Sequence, residues 1–399
     1  MRNPNIYDRV GRIPNTVAYY IAFVALGLVM SSLGPTLPEL ARQTQTQLSQ
    51  ISFLFVARSL GYLAGSFAGG RLYDRVCGHP VMAVALVMMA IAMAVIPLTP
   101  ALWLLGIMFV CLGVAAGALD VGGNTLLIWA YRGRVGPFMN GLHFFFGLGS
   151  LLSPIVIAWI VLISGEISWA YWILALLAFP IALWMIRLPS PARQVDPGEP
   201  SALTDNRVMV ALIVLLLFFY AGAEISFGGW IFTYSVTLGL TSKTVAAYLT
   251  SAFWGSFTLG RLLAIPIGTR VKPTTMLLGA LVGGLGSISI LLMWSSSSTV
   301  LWLGTVGVGL SMATIFPTTL SLAQRQIPIT GRVTGWFFIG ASAGGMFLPW
   351  LIGQLFEFIG SQVMMSAILL DLSIAMVVLV LILRCSGSLD RKRHEEQCE

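Results

Sequence analysis

The chain has 399 residues, 57% of them hydrophobic and 9% charged, with a mean hydropathy of +0.89. Those proportions exclude an ordinary soluble domain and indicate a polytopic membrane protein. The net charge of +7 is carried by basic residues that stand singly between apolar runs, which argues against a nucleic-acid surface and for topology signals.

Apolar runs of helical length predict an all-α membrane protein with twelve transmembrane helices. The first six cover roughly 15–38, 48–70, 80–99, 101–130, 135–163 and 168–187. The second six cover roughly 208–238, 244–267, 274–294, 299–323, 332–358 and 362–384. A polar start with Arg2, Arg9 and Arg12 leads into the first run without a small-residue cleavage site, so that helix is expected to be retained. Residues 189–206, rich in Pro, Asp and Arg, read as a cytoplasmic hinge loop. It divides an N-terminal six-helix half, 1–188, from a C-terminal half, 207–385, and residues 386–399 form a cytoplasmic tail.

Eighteen of the 22 Lys and Arg residues fall on the side of the N-terminus, two (Arg42 and Lys243) on the opposite side, and Arg58 and Arg261 inside helices. That bias places both termini in the cytoplasm, with a bacterial inner membrane as the expected location. Four matches recur at one offset of 195 residues: Gly34 with Gly229, Gly65 with Gly260, Arg75-Val76 with Arg270-Val271, and Pro154 with Pro349. A constant offset of about half the chain indicates two parallel six-helix repeats. Cys77, Cys111, Cys385 and Cys398 lack paired spacing, so neither a disulfide framework, a metal centre nor a cofactor is expected.

The loop Gly70-Arg71-Leu72-Tyr73-Asp74-Arg75-Val76-Cys77-Gly78 resembles the Gly-x-Leu-x-Asp-Arg signature between helices two and three of the major facilitator superfamily. Tyr73 stands where the family has Ala, Cys77 adds a residue before Gly78, and His79-Pro80 replace a basic pair. The glycine at 70 is expected to permit close helix approach, and Asp74 to meet the positive end of a helix from the other half. The resemblance implies that Asp74 and Arg75 help hold the cytoplasmic side shut. It also implies that helices 1, 4, 7 and 10 line a central cavity, that 2, 5, 8 and 11 close its ends, and that 3, 6, 9 and 12 face lipid.

Ionisable side chains inside spans are costly and therefore functional candidates. Asp120 lies in the fourth span with Asn124 one turn on, and Glu224 lies in the seventh. Each can take and release a proton, and Asp120 is alternatively a sodium ligand or a buried structural partner of an arginine. Arg261 in the eighth span is expected to bridge to Glu224 or to hold an anionic substrate. His143 in the fifth span, with Asn140 before it, reads equally as a proton relay, a substrate ligand or a packed histidine. Arg58 in the second span and Glu357 in the eleventh are candidates for an external gate, against the plainer reading that Arg58 snorkels and Glu357 is solvated. Asp371, outside the cavity set, is expected to have a structural partner. Trp230, Tyr234, Trp254 and Gln354 are candidate sugar contacts, with core packing as the competing account.

A finer pattern, Leu119-Asp120-Val121-Gly122-Gly123-Asn124, Gly141-Leu142-His143-Phe144 with Pro154, and Glu224 before Gly229-Trp230, resembles the branch that holds fucose permease and sodium-dependent glucose transporter one. This implies a sugar symporter with Asp120 as the coupling site, and the expectation is a monomeric secondary active transporter of a small polar solute, a monosaccharide above all, coupled to H+ or Na+ through Asp120 with Glu224 assisting. The additional acidic residue that fucose permeases carry in the first span is lacking at Ser31-Ser32-Leu33-Gly34-Pro35. The alternatives are a proton-driven exporter of a drug-like compound or other metabolite, and a non-transporting receptor. An enzyme is disfavoured because no nucleophile-base set, His/Cys cluster or phosphate loop is found.

Overall fold

The computed structural model describes the backbone at residues 7–131, 135–192, 207–327 and 331–398, and the side chains of those stretches outside 7–11, 331–332 and 386–398. Every regular element among them is helical. The chain forms two compact units, Met1–Pro197 with Ile231–Gly255, and Gly198–Trp230 with Ser256–Glu399.

In the first unit the helices are α1 (Tyr7–Met30), α2 (Leu33–Gln43), α3 (Leu48–Ile51), α4 (Phe53–Tyr73), α5 (Gly78–Val95), α6 (Leu102–Tyr131), α7 (Gly136–Ser164) and α8 (Ile167–Arg187). Then come α9 (Arg207–Thr237) and α10 (Lys243–Gly268), each of which contributes to both units. The second unit continues with α11 (Pro273–Met293), α12 (Ser298–Met312), α13 (Ile315–Gln326), α14 (Gly331–Ile359) and α15 (Val363–Cys398). The parts of α9 and α10 at 231–255 belong with the first unit, where Phe232, Ala246 and Ala247 pack on Ala158.

Eleven helical stretches among the described residues are long and apolar enough to cross a bilayer. The remaining long helix, α10, has 26 residues, which at ~1.5 Å per residue exceeds a hydrocarbon core of ~30 Å. Its hydropathy is lowered by Thr250, Ser251, Ser256, Thr258 and Arg261.

The predicted second span divides at Ser52 into α3 and α4, and the first and tenth each divide at a proline. Pro35 is the third residue of α2 and Pro317 the third of α13. Each proline lacks the N–H that would continue the ladder, and its ring clashes with the carbonyl four residues back. Those positions, Ser31 and Ala313, are where the preceding helices stop. At the first break the buried Arg58 donates from Nη1 to the Met30 carbonyl at 2.7 Å, occupying a helix-end acceptor.

Helices α4 and α6 pack through interleaved glycines. A Cβ at Gly61, Gly65 or Gly69 would stand 2.2, 2.1 or 3.0 Å from backbone atoms of Val110, Val114 and Ala118. One at Gly113 or Gly117 would stand 2.1 or 2.2 Å from the carbonyl oxygens of Arg58 and Tyr62. Lipid tails are as apolar as the helices, so such backbone approach is what holds the pair. The expectation for Gly70 fails: nothing lies within 4 Å of a Cβ there, because the packed face recurs every four residues and ends on Gly69.

The repeat has structural counterparts in each unit. After α4, Arg75 and Val76 both donate their N–H groups to the Leu72 carbonyl, and after α10, Arg270 and Val271 do the same to Ile267, 195 residues on. Gly27 and Gly149 let α1 cross α7, and Gly222 and Gly344, each 195 residues further, let α9 cross α14.

Residues 188–190 are held to α1 and α5. His79 is fully buried, its Nε2 2.7 Å from the Tyr19 hydroxyl and its Nδ1 2.9 Å from the Leu188 carbonyl. With Nδ1–H donating to that carbonyl, Nε2 accepts from Tyr19. Ser190 Oγ accepts from the His79 N–H at 3.0 Å, and Asn15 donates to the Pro189 carbonyl at 3.1 Å.

Candidate functional site

Asp120 owes its setting to the glycine contacts one turn earlier. With Gly113 and Gly117 against the backbone of Tyr62, the tyrosine ring extends along α6 and its hydroxyl donates to Asp120 Oδ2. Asn124 Nδ2 donates to Asp120 Oδ1 at 3.0 Å and to the Asp120 carbonyl at 2.8 Å. Both carboxylate oxygens therefore accept from neutral donors. Such bonds to a charged acceptor contribute ~1.5–3 kcal/mol each and offset the cost of placing a carboxylate in a span. Asp120 is half-buried.

In the second unit, Glu224 is half-buried on α9, and Tyr220 is one turn before it on the same face. Arg261 of α10 is the charge that acts on Glu224, with the Tyr220 hydroxyl beside both. The charge of Arg261 is felt at Glu224, so the bridge expected between them stays a proposal. The Arg261 guanidinium carbon also lies 4.5 Å from the centroid of Phe257, a cation-π distance. Arg261 Nε is buried without a hydrogen-bond partner among the described residues, while the Tyr220 hydroxyl is within hydrogen-bonding reach of Glu224 and Arg261.

The other candidates divide by environment. His143 is half-buried with its ring edge-on to Phe23 at 6.2 Å, and Asn140, one turn nearer the start of α7, is exposed. Trp230 is fully buried, its Nε1 donating to the Pro349 carbonyl at 3.0 Å and its ring stacked on Phe356 at 5.2 Å. That indole is committed to packing and offers no face to a sugar. Tyr234 is buried, Trp254 is half-buried and edge-on to Phe253 at 5.0 Å, and Gln354 is half-buried. Asp74 and Arg75 are exposed in the turn after α4, and Glu357 is exposed near the end of α14. Arg58 is buried with its guanidinium carbon 5.9 Å from the Phe55 ring, in addition to its bond to Met30. Asp371 departs from expectation: it is 5% exposed, yet its Oδ2 has no hydrogen-bond partner among the described residues.

Tyr62, Tyr220 and His79 are participants that the sequence did not single out. Tyr220 could have been found from its spacing of four before Glu224 on one helix, whereas only the register of two helices shows that the Tyr62 hydroxyl meets Asp120.

Comparison with known proteins agrees with this architecture. The family model described as Major Facilitator Superfamily matches residues 19–349. Sodium-dependent glucose transporter 1 of Homo sapiens is 31% identical, the alignment covering 94% of this chain and 80% of that protein. Its Danio rerio namesake is 31% identical over 85% of this chain, which spans 64% of that relative's length. Major facilitator superfamily domain-containing protein 4A of Pongo abelii is 27% identical, with 87% of each chain covered. Among solved structures, the nucleoside transporter NupG has a TM-score of 0.74 at 13% identity, covering 94% of this chain and 99% of its own. A bacterial homologue of the human lysosomal transporter Spinster, inward-facing and occupied, has a TM-score of 0.72 at 13% identity, covering 96% and 98%. Matched by the family model from 19 to 349 and by a 31% identical relative over nearly its whole length, the chain belongs to the major facilitator superfamily, an integral membrane transporter of small molecules and not an enzyme.

Proposed function

We propose that the protein is a monosaccharide symporter working by alternating access between two six-helix halves, in which a cation at Asp120 drives sugar uptake and the Glu224 group assists. The observation that carries the reading is the membrane-embedded carboxylate of Asp120, both of whose oxygens accept from side chains, Tyr62 and Asn124, that a ligand can displace. A cation or proton arriving at Asp120 neutralises it and releases the Tyr62 hydroxyl and the Asn124 amide for a polyol. Sodium is the first ion to test, because sodium-dependent glucose transporters are among the relatives. A membrane potential supplies ~2.3 kcal/mol per charge per 100 mV, enough to concentrate a neutral sugar tenfold and more. His143, Trp254 and Gln354 are the half-buried side chains proposed to complete the sugar site. Asp74, Arg75, Arg58 and Glu357 remain proposed gating residues, and a plasma membrane with both termini cytoplasmic is the proposed setting.

The test is uptake by proteoliposomes of the wild type and Asp120→Asn under imposed sodium or pH gradients. Wild type should accumulate a hexose under one of the two gradients, thereby identifying the ion. The variant should lose accumulation while retaining exchange of labelled for unlabelled sugar. Intact accumulation by Asp120→Asn would refute the assignment, and efflux of lipophilic compounds with no hexose movement would identify an exporter.

A further inference from the structure

Asp371 stands near the middle of the predicted twelfth span, 5% exposed. Its Oδ2 is buried without a hydrogen-bond partner among the described residues. Its Oδ1 lies 3.5 Å from the point where a Cβ on Gly222 would stand, and the same point is 3.3 Å from the Gly344 carbonyl oxygen and 3.2 Å from Leu348 Cβ. The acid therefore abuts the place where α9 crosses α14, a contact so close that a Cβ on Gly344 would be 1.8 Å from the Phe218 carbonyl oxygen.

We propose that Asp371 is a proton-binding site separate from Asp120 and Glu224, and that its neutral acid is the form that allows α9, α14 and α15 to close on one another. An ionised carboxylate here would face a carbonyl oxygen and apolar carbon, its Oδ2 buried with no donor among the described residues to compensate its lost hydration, a cost of several kcal/mol. A protonated acid removes the charge and supplies a donor. A hard metal cation is a poorer fit, since such ions take about six oxygen ligands and here Leu348 closes one side of a space bordered by two oxygens.

The surrounding titratable and charged groups do not replace the proton. On α9, Tyr220 and Glu224 flank Gly222 by two residues each and so point away from it, at ~200° around the helix. Helix α11, which packs on α15, has no titratable side chain between Pro273 and Met293. On α14 the charged residues are Arg332 and Glu357, at its two ends and each more than two turns from Gly344 and Leu348. On α15 itself Arg384 is the first charged residue beyond Asp371.

The glycine crossing does not require an acid. In the first unit α1 and α7 cross through Gly27 and Gly149, the counterparts of Gly222 and Gly344, while α8, the repeat counterpart of α15, carries no Asp or Glu from Ile167 to Arg187. The carboxyl is thus an addition peculiar to the second unit. The proposal is independent of the sugar and of coupling at Asp120.

The experiment follows the melting temperature of the purified full chain, without substrate, from mildly acidic to alkaline buffer for wild type and Asp371→Asn, the amide standing for the neutral acid. Wild type should lose several degrees relative to the variant as pH rises, the two being close in acid. Parallel curves, or a variant less stable than wild type in acid, would overturn the proposal. Should the asparagine variant not fold, Asp371→Leu decides: a folded leucine variant with the flattened pH response supports a neutral requirement. Failure of both to fold in acid contradicts it.

Discussion

Asp120 accepts from Tyr62 and Asn124 at once, so any cation that binds there competes with a hydroxyl and an amide for the same oxygens. Removing one competitor should therefore tighten ion binding. In Tyr62→Phe the loss of a hydrogen bond to a charged group, ~1.5–3 kcal/mol, should lower the half-activating ion concentration by about tenfold or more, measured as sugar uptake against ion concentration. A rise in that concentration would instead make Tyr62 a direct ion ligand. His79 poses a different case, because its ring satisfies Tyr19 and Leu188 inside the fold. His79→Ala should strand both partners at ~1–3 kcal/mol each and lower thermal stability, with unaltered stability counting against these contacts. The sequence makes Asp120 and Asn124 legible together, since a spacing of four on one helix guarantees a shared face. Tyr62, 58 residues away from Asp120, is hidden from any reading that lacks the register between helices. The same ignorance of register lies behind the expected sugar platform at Trp230, whose amphipathic ring suits a ligand or a core equally well until its neighbours are known.

Between helices, the decisive quantity is how near two backbones come. Gly61, Gly65 and Gly69 lie on one stripe of α4, interleaved with Gly113 and Gly117 of α6, and hydropathy is blind to which stripe of a uniformly apolar helix meets a partner. Gly70 stands beside the stripe and meets nothing within 4 Å, a difference of one position that hydropathy does not register. The contrast gives a sharp test. Gly65→Ala would place a methyl 2.1 Å from the Val114 carbonyl oxygen, forcing α4 from α6 at a cost of ~1–3 kcal/mol and weakening the Tyr62 contact with Asp120. Gly70→Ala meets nothing within 4 Å and should stabilise by ~0.5–1 kcal/mol through helix propensity. Thermal denaturation of the two variants checks both signs, and equal effects would mean that the glycine stripe does not carry the packing. The helix breaks after Met30 and Met312 were legible in principle, as Pro35 and Pro317 sit inside apolar runs. Length alone reads each run as one span, and a proline is not a sufficient sign of a break, since α7, α8 and α14 run on over Pro154, Pro180 and Pro349.

Across the whole chain, the repeat is the feature that the sequence discloses most fully, because an offset survives even where side chains have diverged. Four pairs suffice to state it, and the glycines at 27 and 222 and at 149 and 344 add to it once their common task of close crossing is seen. An even number of spans per half is what the proposed parallel halves require, and the basic residues are the basis on which the cytoplasmic side is proposed. Of the two basic residues expected on the far side, Arg42 is paired with Glu39 three residues before it, so the far surface has little unpaired positive charge to oppose the bias. Retention of Lys and Arg on the cytoplasmic side is a property of short loops near span ends, and Arg71, Arg75, Arg270 and Lys272 are all so placed. Protease cleavage of epitope tags at the two ends should therefore occur in inside-out vesicles and fail in sealed right-side-out vesicles, for both tags alike. Cleavage of one tag alone from outside would break the parity of the span count, whereas cleavage of both from outside would invert the proposed orientation and, with it, the side on which Asp74 and Arg75 are proposed to act.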